Sequence, residues 1–114
     1  MMTAKEYEES LRKLNLVVYQ FGKRVENVVD DPIIRPSMNA VAMTYELAGN
    51  PEYEDLMTAT SHLTGKKINR FCHIHQSTDD LVKKTDMGRL LGGITGSCFQ
   101  RCVGMDSLNA LSIT

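Results

Sequence analysis

The sequence predicts a mainly α-helical fold with minor short strands. Four stretches, Ala4–Leu14, Met38–Ala48, Leu81–Leu91 and Thr95–Leu108, repeat apolar residues at intervals of three or four, the period of a helix with one buried face. Capping and breaking residues punctuate them, and the one β-branched and aromatic run, Val17 to Phe21, is only long enough for a short strand. At 114 residues the chain makes one core, so residues 1–114 are expected to form a single helical domain.

Thr3 and Glu6 have capping-box spacing, and Tyr7, Leu11 and Leu14 follow on one helical face. Val17, Val18, Tyr19 and Phe21 then suit an extended segment that stops at Gly22. Pro32 and Pro36 break regular structure on either side of Arg35, which makes residues 30–36 a loop. Ser37 is the expected N-cap of the second helix, in which Val41, Tyr45 and Ala48 share a face, and Gly49 stands where a left-handed terminator is wanted. Pro51 suits the first position of a short helical turn reaching Leu56. Residues 58–70 give no clear assignment beyond a turn at Thr64-Gly65 and a possible strand residue at Ile68. Ser77, Asp79 and Asp80 start the third helix, which Gly92-Gly93 should end. The fourth runs on into Ala110, Leu111 and Ile113 without a Gly, Pro or charged terminator, as a chain truncated at its C-terminus would.

Thirteen Lys and Arg against fourteen Asp and Glu give a net charge of -1, which lacks the basic excess that binding to a phosphate backbone needs. Nucleic acid is not an expected partner. Neither a stretch of about 20 apolar residues nor a secretory leader is present, so no membrane association and a cytoplasmic location are expected. The odd set Cys72, Cys98 and Cys102 cannot pair completely, and in a reducing compartment such thiols bind metal, react or pack.

Cys98-Phe99-Gln100-Arg101-Cys102 is a Cys-x-x-x-Cys motif, and on a helix a four-residue step turns about 40° past a full circle and rises about 6 Å, bringing both sulfurs to one side. A helix N-terminus and Arg101 would favour thiolates, the ligands of iron-sulfur clusters. Spacing alone leaves the simpler alternative open, two small apolar residues on a buried face. A rival metal reading joins Cys72, His73 and His75 to that pair as a zinc site, although zinc knuckles use a Cys-x-x-Cys spacing that is missing here. His62, His73 and His75 taken singly read as ordinary hydrogen-bonding or surface residues. Gly92-Gly93-Ile94-Thr95-Gly96 and Gly65-Lys66-Lys67 match neither nucleotide fingerprint. The charge pairs Asp30-Asp31, Lys66-Lys67, Asp79-Asp80 and Lys83-Lys84 read as solvated surface, with Asp79 facing Lys83 and Asp80 facing Lys84 along a helix. Met43, Met57 and Met105 read as adaptable core filler.

The run Ser97-Cys98-Phe99-Gln100-Arg101-Cys102-Val103-Gly104-Met105-Asp106, with Arg35-Pro36-Ser37, Thr44-Tyr45-Glu46-Leu47-Ala48 and His75-Gln76-Ser77-Thr78-Asp79-Asp80-Leu81, resembles the N-terminal part of the 4-hydroxybutyryl-CoA dehydratase/vinylacetyl-CoA isomerase family. That family sits among the 4-hydroxyphenylacetate 3-monooxygenase-like flavoproteins. The likeness covers essentially the whole chain but only the leading segment of much longer members. It implies the N-terminal helical domain of an acyl-CoA dehydrogenase-like flavoprotein, a homotetramer with FAD, and an acyl-CoA substrate. It also implies that Cys98 and Cys102 are two ligands of a four-iron, four-sulfur cluster completed by a histidine and a cysteine downstream, with Gln100 between them in the active site. Cys72 lies outside that motif. The implied reactions are dehydration of 4-hydroxybutyryl-CoA to crotonyl-CoA and isomerisation of vinylacetyl-CoA, neither of which the 114-residue chain should catalyse alone. The alternatives are a flavin-dependent aromatic monooxygenase relative, which lacks the cysteine pair, and a stand-alone helical binding or scaffold module, with zinc as a candidate stabiliser.

Overall fold

The computed structural model describes residues 1–96 and 101–113, with Arg101 and Cys102 described by their backbone alone. The fold is about half helical with short strands. Helix α1, Ala4–Arg12, carries the expected capping box: Glu6 N donates to Thr3 Oγ1 at 3.2 Å, and Thr3 N donates to Glu6 Oε2 at 2.7 Å. It buries no residue fully and lies against the second helix through the stacked rings of Tyr7 and Tyr45, 4.7 Å apart, and through Arg35 Nη2 donating to Glu8 Oε1 at 2.9 Å.

The extended run becomes strand β1, Val18–Gln20, paired antiparallel with β2, Lys23–Val25, so that Gln20 faces Lys23 across a two-residue turn. Both turn residues have positive φ, Phe21 at 49° and Gly22 at 77°, as mirror-image hairpin turns require. Glycine adopts this freely; phenylalanine does so at a cost, and its ring is 86% exposed.

Helix α2, Arg35–Ala48, starts three residues before the expected Met38, and Ser37 is not its cap. Pro36 fits the first turn because its missing N–H has no intrahelical partner there. No side chain caps the helix; Asp31 instead closes the turn that leads into it, its Oδ1 accepting from Ile33 N and Ile34 N at 2.9 and 3.2 Å. Gly49 closes the helix at φ -91°, in the right-handed region and not the left-handed one expected. The short helix α3, Glu54–Met57, leads directly into β3, Thr58–Thr60, which pairs antiparallel with β4, Lys67–Asn69. This second hairpin fills the stretch whose sequence gave no clear assignment, with Ile68 in a strand as anticipated. A 3-10 turn, Arg70–Cys72, follows, capped by Asn69 Oδ1 accepting from Phe71 N at 3.1 Å.

Helix α4, Thr78–Thr95, opens on a capping box of Ser77 and Asp80 and runs through Gly92-Gly93, where an end was expected, to Gly96 at φ 65°. Its three interior glycines, Gly88, Gly92 and Gly93, cost about 1 kcal/mol each in helix propensity. Tertiary burial overrides this, because Met87 and Leu91 are almost wholly enclosed. Of the expected Thr95–Leu108 helix, Thr95 belongs to α4 and the part from Arg101 to helix α5, Arg101–Leu111, while residues 97–100 lie outside the described ones. The core joins Leu47 and Ala48 of α2, Met57 of α3, Phe71, Met87 and Leu91 of α4, and Met105 of α5, with Met43 packed at its edge. The methionines fill it as expected, their unbranched side chains fitting where five elements meet.

Because an L-residue in the left-handed region costs about 1–2 kcal/mol, Phe21→Asn should raise the unfolding free energy by about 1 kcal/mol. Urea denaturation followed by far-UV circular dichroism measures it, and no gain would mean that the exposed ring contributes elsewhere.

Candidate functional site

A buried polar node ties α3, the second hairpin and α4 together. The Arg70 residue is 3% exposed. Its guanidinium donates from Nε to Leu56 O at 2.7 Å, from Nη2 to Asp55 O and Thr58 O at 3.0 and 2.6 Å, and from Nη1 to Asp80 Oδ1 at 3.3 Å. The last carbonyls of α3 and the first of β3 thus receive the donors that the abrupt helix-to-strand transition leaves them needing. Asp80 is the hub on the other side. Its Oδ1 also lies 3.2 Å from His73 Nε2, and its Oδ2 accepts from Gln76 N, Ser77 N and Ser77 Oγ at 2.9, 3.1 and 3.1 Å.

Asp80 was expected on solvated surface facing Lys84. Instead its side chain is only 15% exposed, and Lys84 pairs with Asp106 of α5. The expectation failed because one carboxylate serves the helix cap and a buried arginine at once. Asp79 does face Lys83, 3.8 Å away, and Lys83 also reaches Asp55 at 3.1 Å. Burial alone would raise the Asp80 pKa, but the Gln76 backbone N–H, His73 and Ser77 outweigh it and hold the carboxyl at about 2. Asp80 is therefore ionised at neutral pH. Burial pushes the His75 imidazole below its ordinary value, which keeps it neutral there.

The node borders an open cleft lined by Glu54, Asp55, Thr58, Lys67, Gln76 and Lys83 among others. The exposed charges in it are matched, Lys67 with Glu54 and Lys83 with Asp55, and Arg70 is engaged with protein carbonyls. This cleft holds its wall in place and offers a ligand no unmatched charge on these groups.

His73 hydrogen-bonds as expected of an ordinary histidine, yet it is 4% exposed and not at the surface. His73 Nδ1 and His75 Nε2 are buried without a hydrogen-bond partner among the described residues. Cys72 is exposed while its neighbour His73 is buried, so the two do not face a common metal position. Among the described residues no group of three His, Cys, Asp or Glu could hold a metal ion. Cys98 and Gln100 lie outside the described residues, as does the side chain of Cys102, whose backbone forms the first turn of α5. By chemistry alone, two cysteines four residues apart are a donor set that suits part of an iron-sulfur site.

Sequence reasoning missed Arg70, Asp80 as a buried partner, and Asn109. Asn109 Oδ1 accepts from His75 N at 2.7 Å, and its Nδ2 donates to His73 O at 3.2 Å and to Met105 O at 2.9 Å. The Ser77–Asp80 cap spacing could have marked Asp80 as a cap, but no local signal pairs it with a residue ten positions earlier.

Removing the Asp80 charge leaves a buried guanidinium without its counter-ion, so Asp80→Asn should lower stability at pH 7 by about 3 kcal/mol. A depressed carboxylate contributes stability that is complete above its unfolded value of 3.8 and is lost as pH falls toward about 2. The difference between parent and variant should therefore shrink across that window. Urea midpoints measured from pH 7 to pH 2 test this, and a constant difference would refute it.

No described helix is long and apolar enough to cross a membrane. Residues 3–114 match the family model described as 4-hydroxyphenylacetate 3-hydroxylase N terminal. The chain is 66% identical over all its 114 residues to a 4-hydroxybutyryl-CoA dehydratase/vinylacetyl-CoA-Delta-isomerase of Clostridium aminobutyricum, of which it spans 23%. It is 37% identical over 86 residues, 75% of the chain, to the oxygenase component of a 4-nitrophenol 2-monooxygenase of Rhodococcus sp, spanning 16% of that protein. The solved structure of an oxygen-tolerant archaeal 4-hydroxybutyryl-CoA dehydratase from N. maritimus superposes with a TM-score of 0.89 at 54% identity, over 96% of this chain and 21% of that one. The oxygenase component of 4-hydroxyphenylacetate 3-monooxygenase, solved with FAD, shares the fold with a TM-score of 0.67 at 24% identity, over 81% of this chain and 19% of that one. The matched family model, spanning nearly every residue, establishes that the chain belongs to the 4-hydroxyphenylacetate 3-hydroxylase N-terminal family.

Proposed function

We propose that residues 1–114 are the N-terminal helical domain of a 4-hydroxybutyryl-CoA dehydratase/vinylacetyl-CoA isomerase, an acyl-CoA dehydrogenase-like flavoprotein acting in the cytoplasm as a homotetramer. The observation that carries this reading is 66% identity to such an enzyme across every residue of the chain, against 37% over three-quarters of it to a monooxygenase component. The Cys98–Cys102 pair adds chemistry that a flavin monooxygenase does not use.

In this reading Cys98 and Cys102 hold one side of a four-iron, four-sulfur cluster, and the remaining segments of the longer enzyme supply its other ligands and FAD. When bound, the cluster supplies a Lewis-acid iron for the hydroxyl of the acyl-CoA substrate and the flavin a one-electron carrier. The chain's own part is placement. Cys102 stands in the first turn of α5, whose dipole favours the deprotonated thiol that a cluster needs. Gln100, between the cysteines, carries an amide that both donates and accepts, and so suits a hydroxyl or thioester carbonyl beside the cluster. The ionised Asp80 and Arg70 fix the floor on which α5 rests.

A chimera in which this chain replaces the matching 23% of the Clostridium aminobutyricum enzyme tests the proposal. Purified without oxygen, it should be brown, contain iron, sulfide and FAD, and dehydrate 4-hydroxybutyryl-CoA. Cys98→Ser and Cys102→Ser should each strip most of the iron while leaving flavin bound. A colourless, flavin-only chimera with both cysteines intact would reject the cluster role, and zinc in place of iron would support the scaffold alternative.

A further inference from the structure

Helix α5 has eleven residues and carries Gly104, and an isolated helix of that length is marginal in water, so tertiary attachments decide where it sits. Met105, Asp106 and Asn109 are among the described side chains that attach it. Met105 is buried in the core, but a thioether side chain adapts to its surroundings and sets burial better than register. Asp106 pairs with Lys84 at the surface, where ion pairs hold geometry loosely. Asn109 differs in kind. Its carboxamide takes the N–H of His75 and gives to the carbonyl of His73, gripping the extended backbone on both sides of Ile74, while its second donated bond returns to Met105 O in its own helix.

Such a grip is specific in register. Sliding α5 by one residue would turn it about 100° and shift it about 1.5 Å, which breaks both bonds to the 73–75 segment together. The segment gripped is itself fixed, because His73 is bonded to Asp80, which is bonded to the buried Arg70. Cys102 precedes Asn109 by seven residues, almost two full turns and about 10 Å along the same helix. The height and rotation of the Cys102 backbone are thus set from Asn109.

We infer that Asn109 is a positioning residue for the Cys102 ligand, acting through the register of α5. This rests on the cluster reading given above, and it assigns Asn109 a part in holding the cluster that no cysteine motif reveals.

The test uses the same chimera with Asn109→Ala, Asn109→Gln and, as a control on the other α5 attachment, Asp106→Asn. The readouts are the rate of iron loss to a chelator, the electron paramagnetic resonance line shape of the reduced cluster, and the melting temperature. Asn109→Ala, which frees the register of α5, should release iron severalfold faster than the parent, with an altered line shape. Asn109→Gln, which keeps the amide but lengthens it by one methylene, should fall between Ala and the parent; Asp106→Asn should leave the line shape unchanged. If Asn109→Ala proves insoluble, a shifted line shape in Asn109→Gln supports the inference and an unshifted one overturns it. A lowered melting temperature with parental iron loss and line shape would reduce Asn109 to a stabilising residue and overturn it too. Should the parent chimera itself hold no iron, the cluster reading fails; a normal cluster in the parent and in Asn109→Ala defeats only the role of Asn109.

Discussion

The fold depends on one buried pairing, Arg70 with Asp80. Burying a guanidinium is costly unless its donors are met, and the local geometry meets them: three backbone carbonyls from residues 55, 56 and 58 and one carboxylate oxygen. Each carbonyl belongs to the place where α3 ends and β3 begins, so the arginine satisfies the helix terminus while the strand proceeds. Asp80 is equally divided. One oxygen faces Arg70 and His73, and the other caps α4 through Gln76 and Ser77. Two elements distant in sequence are therefore fixed by a contact that neither could form alone, and its loss leaves a charge stranded in the interior.

The second hairpin gains its meaning from this pair. Two strands of three residues have little stability in isolation, and β3 and β4 contribute few large apolar side chains. Their effect is positional. The register Thr58↔Asn69 sets Arg70, the next residue, beside Thr58 O and the end of α3. Asn69 Nδ2 donates to Thr44 O of α2 at 3.0 Å, so the same ribbon is also pinned to the longest helix of the first half. Among the described residues the first hairpin has no such anchoring: Tyr19 and Phe21 are exposed, and its turn carries an unfavourable backbone angle.

What was legible in the sequence follows from whether the determining forces were local. The capping boxes of Thr3–Glu6 and Ser77–Asp80 are three-residue signals, and both helices begin where those signals put them. The start of α2 differs from the Ser37 signal because the turn closed by Asp31 leads the chain into the helix at Arg35, with no side-chain cap. Gly92-Gly93 fails as a stop because packing of Leu91 carries the helix past it, a force that local propensity cannot register. The candidate site divides along the same line. The Cys98–Cys102 spacing and its family likeness could be read directly, whereas Arg70 with Asp80, and Asn109 with residues 73 and 75, join positions that are distant in sequence and have no periodicity in common. Asp79 and Asp80 show the limit at its sharpest, since adjacent identical residues have opposite fates: one faces Lys83 in water, the other is locked against Arg70 and His73.

The division between α4 and α5 changes how the cysteine pair must be understood. A single helix over residues 95–108 would align positions 98 and 102 by its own pitch, making their convergence a local property. Gly96 ends α4 in the left-handed conformation, and Cys102 belongs to a second helix, α5. The seat of the Cys102 backbone then depends on where α5 is anchored relative to α4. Leu91 fixes the end of α4 in the core, and Thr95 Oγ1 donating to Leu91 O at 2.7 Å holds its final turn. Asn109 and Met105 fix α5 against the 73–75 segment and the same core. In the cluster reading, the seat of the Cys102 backbone would thus be inherited from the Arg70–Asp80 node through His73 and the 73–75 segment, not from the Cys-x-x-x-Cys spacing itself.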